Sequence, residues 1–213
     1  MKLKIASVLI ALASSSYGAL VTLSSFAETY NGQDDYGILL STGVPVAPGA
    51  GLASVIVFSS LTDTQVADLA AAQDYATLFA PANFVTITSD DFTGIAGAFG
   101  ATAGFVSAGI TGYVPALVNK TLYAYITSGS ELGLFKSNST LVADPAPPAL
   151  ENTYNVRFSD GTAIIGSFGP DYNVPTYVGG GPATVNSFQL VPEPSAALLG
   201  ALGALGLLRR RRN

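Results

Sequence analysis

The side chains in this chain that could do chemistry are carboxylates and phenols. Among 213 residues there is no histidine and no cysteine. That removes Ser-His and Cys-His nucleophile pairs and the usual zinc and copper ligand sets together. Glycoside hydrolysis needs only two carboxylates at a suitable separation, yet no acid here sits in a recognisable catalytic motif. The sequence therefore points away from an enzyme, assigns no catalytic residue and calls for no cofactor; a carboxylate-dependent hydrolase is the least favoured reading. Asp34-Asp35 and Asp90-Asp91, with Asn31 and Gly32 beside the first pair, could ligate Ca²⁺, which takes oxygen donors in flexible geometry. Neither pair follows EF-hand spacing or a repeat, so solvated acids beside turns are the plainer reading and no metal site is assigned. Tyr123 and Tyr125 alternate within one strand-like run and so share a face. They could stack on sugar rings, although strand aromatics are more often core or cross-strand partners. Asn119-Lys120-Thr121 and Asn138-Ser139-Thr140 match the N-glycosylation triplet, a pattern that arises often by chance. Glycine-rich phosphate loops, heptads and basic nucleic-acid patches are absent.

Short β-branched and aromatic runs punctuated by Gly, Pro, Ser, Asn and Asp must position these groups. Strands are expected at 20–25, 36–41, 54–59, 83–88, 121–127, 131–136, 154–158, 162–168 and 184–190. Asp160-Gly161 offers a two-residue hairpin turn between two of these runs, and Ser128-Gly129-Ser130 a slightly longer one. One helix is expected at 62–79. Thr62 and Gln65 have the spacing of a capping box, Leu61 and Val66 occupy the staple positions, and Pro81 ends the segment. The glycine-interrupted stretch 94–112 reads equally as a loose helix or as two bulged strands. The expected fold is mainly β: an antiparallel, sandwich-like domain with one packed helix, followed by a C-terminal hydrophobic helix.

Residues 19–190 hold 13 acidic side chains and three basic ones, Lys120, Lys136 and Arg157, for a net charge near −10. Such a surface argues against nucleic acid and against an anionic membrane face as partners. With no cysteine, this domain must be held by packing rather than by disulfides. Its length suits one domain with a core of its own.

Both ends of the chain carry signals of another kind. Met1-Lys2-Leu3-Lys4, an apolar core at 5–13 and the small residues of 14–19 form the pattern of a secretory signal peptide. Ser16 and Gly18 favour cleavage between Gly18 and Ala19, so 1–18 is expected to be removed. At the other end, Val191-Pro192-Glu193-Pro194 precedes 14 uncharged residues, 195–208, and then Arg209, Arg210, Arg211 and Arg212. The two prolines fix φ near −65° and push Val191 and Glu193 towards extended backbone. As a helix the apolar run would reach ~21 Å at 1.5 Å per residue, against a hydrocarbon core of about 30 Å. Three interior glycines weaken it further. Such a segment suits a temporary anchor, and the arginines would keep the C-terminus cytoplasmic.

The order of these parts in 191–213 resembles the PEP-CTERM sorting signal of Gram-negative bacteria, which a membrane enzyme called exosortase recognises. The resemblance covers about a tenth of the chain. It implies a protein placed in the inner membrane with residues 19–190 outside, then cut near Pro192-Glu193-Pro194. Glu193 would be the recognised acid, and Arg209–212 would hold the substrate in register. It further implies a cell-surface or matrix destination, with an exosortase-type enzyme as partner and exopolysaccharide as neighbour. A carbohydrate- or Ca²⁺-binding surface module, using Tyr123, Tyr125, Asp34 or Asp35, is the alternative.

Overall fold

A computed structural model describes residues 20–24, 36–92, 107–108, 117–141, 153–174 and 183–194. Along these the chain forms β1 (Leu20–Ser24), β2 (Tyr36–Leu39), β3 (Leu52–Phe58), α1 (Asp63–Ala71), α2 (Tyr75–Leu78), β4 (Phe84–Asp91) and β5 (Ser107–Ala108). The second half adds β6 (Thr121–Ser128), β7 (Glu131–Thr140), β8 (Thr153–Arg157), β9 (Gly161–Ile165), β10 (Ser167–Val174), β11 (Ala183–Gln189) and β12 (Val191–Pro192).

The continuous apolar run of β3, Leu-Ala-Ser-Val-Ile-Val-Phe, announces a strand covered on both faces, and all of it but Leu52 is buried. β3 lies inside a sheet ordered β4-β3-β6-β7, whose outer edge on β7 is shared by β9 and β12. Two smaller sheets, β5-β1-β8 and β10-β11-β2, complete the structure. Alternation then sorts side chains into two cores. Val55, Ala124 and Phe135 face the smaller sheets and meet Leu23, Ile38, Val156 and Phe188 there. Ile56, Phe58, Tyr123 and Leu134 point the other way and are covered by Val66, Ala70 and Leu78 of the helices. Phe135, Phe158 and Phe188 join the sheets, with ring centroids 5.0 Å (135–158) and 5.2 Å (158–188) apart. Each contributes about 1.5–3 kcal/mol relative to an exposed ring. The fold is mainly β and sandwich-like, with a helical layer outside the larger sheet.

Several expectations are corrected by the pairing. Most neighbours are antiparallel, but β1 runs parallel to β8 and β11 parallel to β2. The helix expected at 62–79 is broken in two. α1 begins at Thr62 with the capping box intact, but Gln73 takes φ 56° and the chain restarts at Asp74, which accepts the Thr77 N–H and caps α2. The Asp74 carboxylate takes the Thr77 N–H, which in a continuous helix would bond the Gln73 carbonyl. Asp160-Gly161 does not join a hairpin, because β8 pairs with β1 and β9 pairs with β7. Asp160 is instead gripped by β7: Asn138 Nδ2 donates to its carboxylate at 2.6 Å, and the Asn138 N–H reaches its carbonyl. The run expected at 162–168 bends at Gly166 (φ 94°), where β9 leaves the large sheet and β10 enters the small one. The Gly129-Ser130 turn does join a hairpin, β6–β7, and is tighter than the spacing suggested. Most of 94–112 and the apolar run 195–208 lie outside the described residues, as does the C-terminal helix expected there; residues 107 and 108 of the first stretch form β5.

Candidate functional site

α2 is short, but its position matters. Tyr75 and Phe79 stand four residues apart, hence on one face of the helix, with rings 6.3 Å apart edge to face. Phe79 then stacks on Tyr125 of β6, centroids 4.4 Å apart and planes 24° from parallel. Phe84, the first residue of β4, closes the cluster against both rings at 6.4 Å. Tyr123 and Tyr125 share the helix-side face, as their alternation required, yet their surroundings differ. Tyr123 is 1% exposed, and its hydroxyl donates to Asp63 Oδ1 at 2.8 Å beneath α1. It ties the sheet to α1 and lies at the edge of a separate hollow of about 220 Å³, lined also by Thr62, Asp63, Lys120 and Thr121. Tyr125 is only half buried and opens onto a groove.

That groove, about 350 Å³, is lined chiefly by Asp74, Tyr75, Phe79, Tyr125, Glu193 and Pro194. It carries two carboxylates and no basic side chain. Glu193 and Pro194 arrive there because the last strand of the fold leads into them. The Leu190 N–H donates to the Leu39 carbonyl at 2.8 Å, Val191 lies opposite Leu132, and Pro192 lies opposite Glu131. The Glu193 N–H then donates to the Ser130 carbonyl at 2.8 Å. Pro192 has no amide to offer and fits only at a sheet edge, which is where β12 lies. Glu131, its neighbour, is itself held by Ser41, whose N–H and Oγ donate to the two carboxylate oxygens at 2.6 and 2.7 Å. Burial raises the Tyr125 hydroxyl above its ordinary range, and the negative charge of Glu193 raises it further.

A second polar centre ties α1 to the sheet. Asp63 accepts from Tyr123, from Thr121 Oγ1 at 2.9 Å and from Lys136 Nζ at 2.7 Å. Partial burial pushes its carboxyl up, but the bonds from Lys136, Tyr123 and Thr121 and the charge of Lys136 outweigh that and hold it below its ordinary 3.8. Burial, the bond to Asp63 and the charge of Asp63 raise the Tyr123 hydroxyl well beyond its usual range.

Of the residues singled out by sequence, the structure brings Tyr125, Glu193 and Pro194 together on one groove and carries Val191 and Pro192 into the sheet beside it. Tyr123 lies near but sealed. Asp90 and Asp91 close strand β4 opposite Ala53 and Leu52. Asp34, Asp35, Gly18, Ala19 and Arg209–212 lie outside the described residues. Among the described residues no group of three or more acidic, histidine or cysteine side chains could hold a metal ion, and no helix is long and apolar enough to cross a membrane. Sequence reasoning missed Asp74, Tyr75 and Phe79 as site residues, having placed them late in one long helix. The spacing Asp74-x-x-Thr77, a capping pattern inside a supposed helix, was the signal that could have found the restart. No family model, no curated protein and no solved structure matches the chain.

Proposed function

We propose that this chain is an exported cell-surface or extracellular-matrix structural protein, held briefly in the inner membrane by its C-terminal tail and passed outward by an exosortase-type enzyme. The observation that carries the reading is the order of the tail: Val191-Pro192-Glu193-Pro194, 14 uncharged residues, then four arginines. The position of β12 supports it. Among the described residues the last strand pairing of the sandwich is at Val191 and Pro192, so a cut just beyond them would leave the described domain whole. A short, glycine-weakened apolar run holds a membrane loosely, and positive residues at its end resist translocation. The absence of histidine and cysteine fits a protein whose role is to be present rather than to turn over a substrate. Intact mass of the protein from surface and culture fractions of its host tests this. A C-terminus near Pro194 is expected; a full-length chain confined to the membrane would sink the reading.

The groove favours a second reading, a carbohydrate-binding module. Phe79 and Tyr125 offer apolar ring surface of the kind that covers a sugar face, and Asp74 and Glu193 can accept from sugar hydroxyls. In gels containing the host's own polysaccharide, the full chain should be retarded and Tyr125→Ala should run several-fold less retarded. Equal mobility with and without polysaccharide rules the module out.

A further inference from the structure

The residues that the processing reading needs exposed are the ones that the domain holds. Glu193 has its amide committed to the Ser130 carbonyl. Val191 is half buried against the helix-side core, opposite Leu132. Pro194 and Glu193 form one wall of the groove under Tyr125 and Phe79. Recognition of an extended chain runs through main-chain hydrogen bonds along its edge, with pockets for alternate side chains. In the docked state one edge of β12 is occupied by β7, and the far side of Glu193 faces the domain's own aromatic cluster.

We infer that the folded domain gates its own processing: β12 is a latch, and the processing enzyme meets Glu193 only when the strand has peeled from β7. This rests on the processing reading and gives it a control step. The latch is built to open locally. It pairs only two residues with β7, and one backbone bond beyond them, from Glu193 to the Ser130 carbonyl, completes its hold. The strand before it, β11, is paired on both edges, to β10 and to β2. Release of β12 therefore leaves the sandwich intact, an opening far below global unfolding. Occupation of the groove would work against release, since the same residues form its wall.

The natural chain has no cysteine, so one engineered pair makes a clean lock. Val191 and Leu132 are direct cross-strand partners, at a separation that a disulfide spans, and an exported chain meets oxidising conditions. The experiment compares the full chain with V191C/L132C in the host, the pair held oxidised or reduced with dithiothreitol, reading the C-terminus by intact mass. It also measures amide hydrogen exchange at Glu193 in the purified full chain, with Phe188 of β11 as internal reference. Expected are Glu193 exchange at least tenfold slower than in an unstructured peptide, and trimming of the oxidised pair at least tenfold slower than that of the same pair reduced. Leu132→Ala, which removes the side chain under the latch, should speed both Glu193 exchange and trimming with Phe188 unchanged. Should the reduced pair itself resist trimming, Leu132→Ala decides alone. Trimming of the oxidised pair at the wild-type rate overturns the gate, as does Glu193 exchange at the unstructured rate. A protected Glu193 in a chain the host never trims has a different signature: it removes the processing reading, and the gate with it, while β12 stays docked.

Discussion

Three donors converge on Asp63: the Lys136 ammonium, the Tyr123 hydroxyl and the Thr121 hydroxyl. The side chain is 42% exposed, so solvent screens the ion pair and the pair itself adds little. The larger stake is Tyr123, a residue 1% exposed whose hydroxyl would lose its acceptor. Asp63→Ala should cost about 1–3 kcal/mol, the penalty of a buried polar group left unpaired, read as a lowered denaturation midpoint. Asp63→Asn keeps an acceptor and should cost less. Because the folded carboxyl sits below its ordinary 3.8, the wild-type advantage over Asp63→Asn is present above that value. It should fade as pH falls through the lower folded value; an advantage that grows towards acid would contradict the assignment. That Tyr123 and Tyr125 share a face was legible from their alternation. Which of them remains open was not, because the Asp63 that seals Tyr123 lies 60 residues away. Nor does any local pattern place Glu193 beside Tyr125.

Strand positions were legible because alternating runs bounded by turn residues mark them with little help from tertiary structure. Their ends and partners were less so. Alternation says which face a residue takes, not which strand lies next to it. The Asp160-Gly161 pair illustrates this: its chemistry promised a local hairpin, while Asn138 and the edge of β7 offered it a better place. There Gly161 lies so close to the Lys136 carbonyl that an added Cβ would stand 2.1 Å from the oxygen and 2.6 Å from the Phe135 ring. Gly161→Ala should therefore cost about 2–4 kcal/mol by overpacking against backbone. Gly43 also adopts positive φ but has open space around it; Gly43→Ala should cost only about 1 kcal/mol, from conformation alone. Equal denaturation midpoints for the two variants would mean that β9 is not seated on β7 as described. The helix layer follows the same logic. Its capping box was readable at Thr62 and Gln65, whereas the break at Gln73 depends on the helix turning to lay Phe79 on Tyr125.

In the molecule as a whole, the two parallel pairings join segments far apart in the chain, β1 to β8 and β2 to β11. Composition and patterning made a mainly β, sandwich-like domain legible. The second core outside the central sheet was half legible: the apolar run of β3 asks for cover on both faces, but which helical side chains, Val66, Ala70 and Leu78, supply it depends on tertiary packing. The position of β12 has one more consequence, a mechanical one. If the tail beyond Pro194 is fixed in a membrane, any tension between tail and domain falls first on the Glu193–Ser130 bond, then on Pro192, then on Val191. Antiparallel pairs loaded from one end separate in succession, as a zipper does, and so yield to small forces. The pull then meets the Leu190–Leu39 bond and β11, gripped from both sides, where many bonds share the load. A light tug would bare the motif without disturbing the domain behind it.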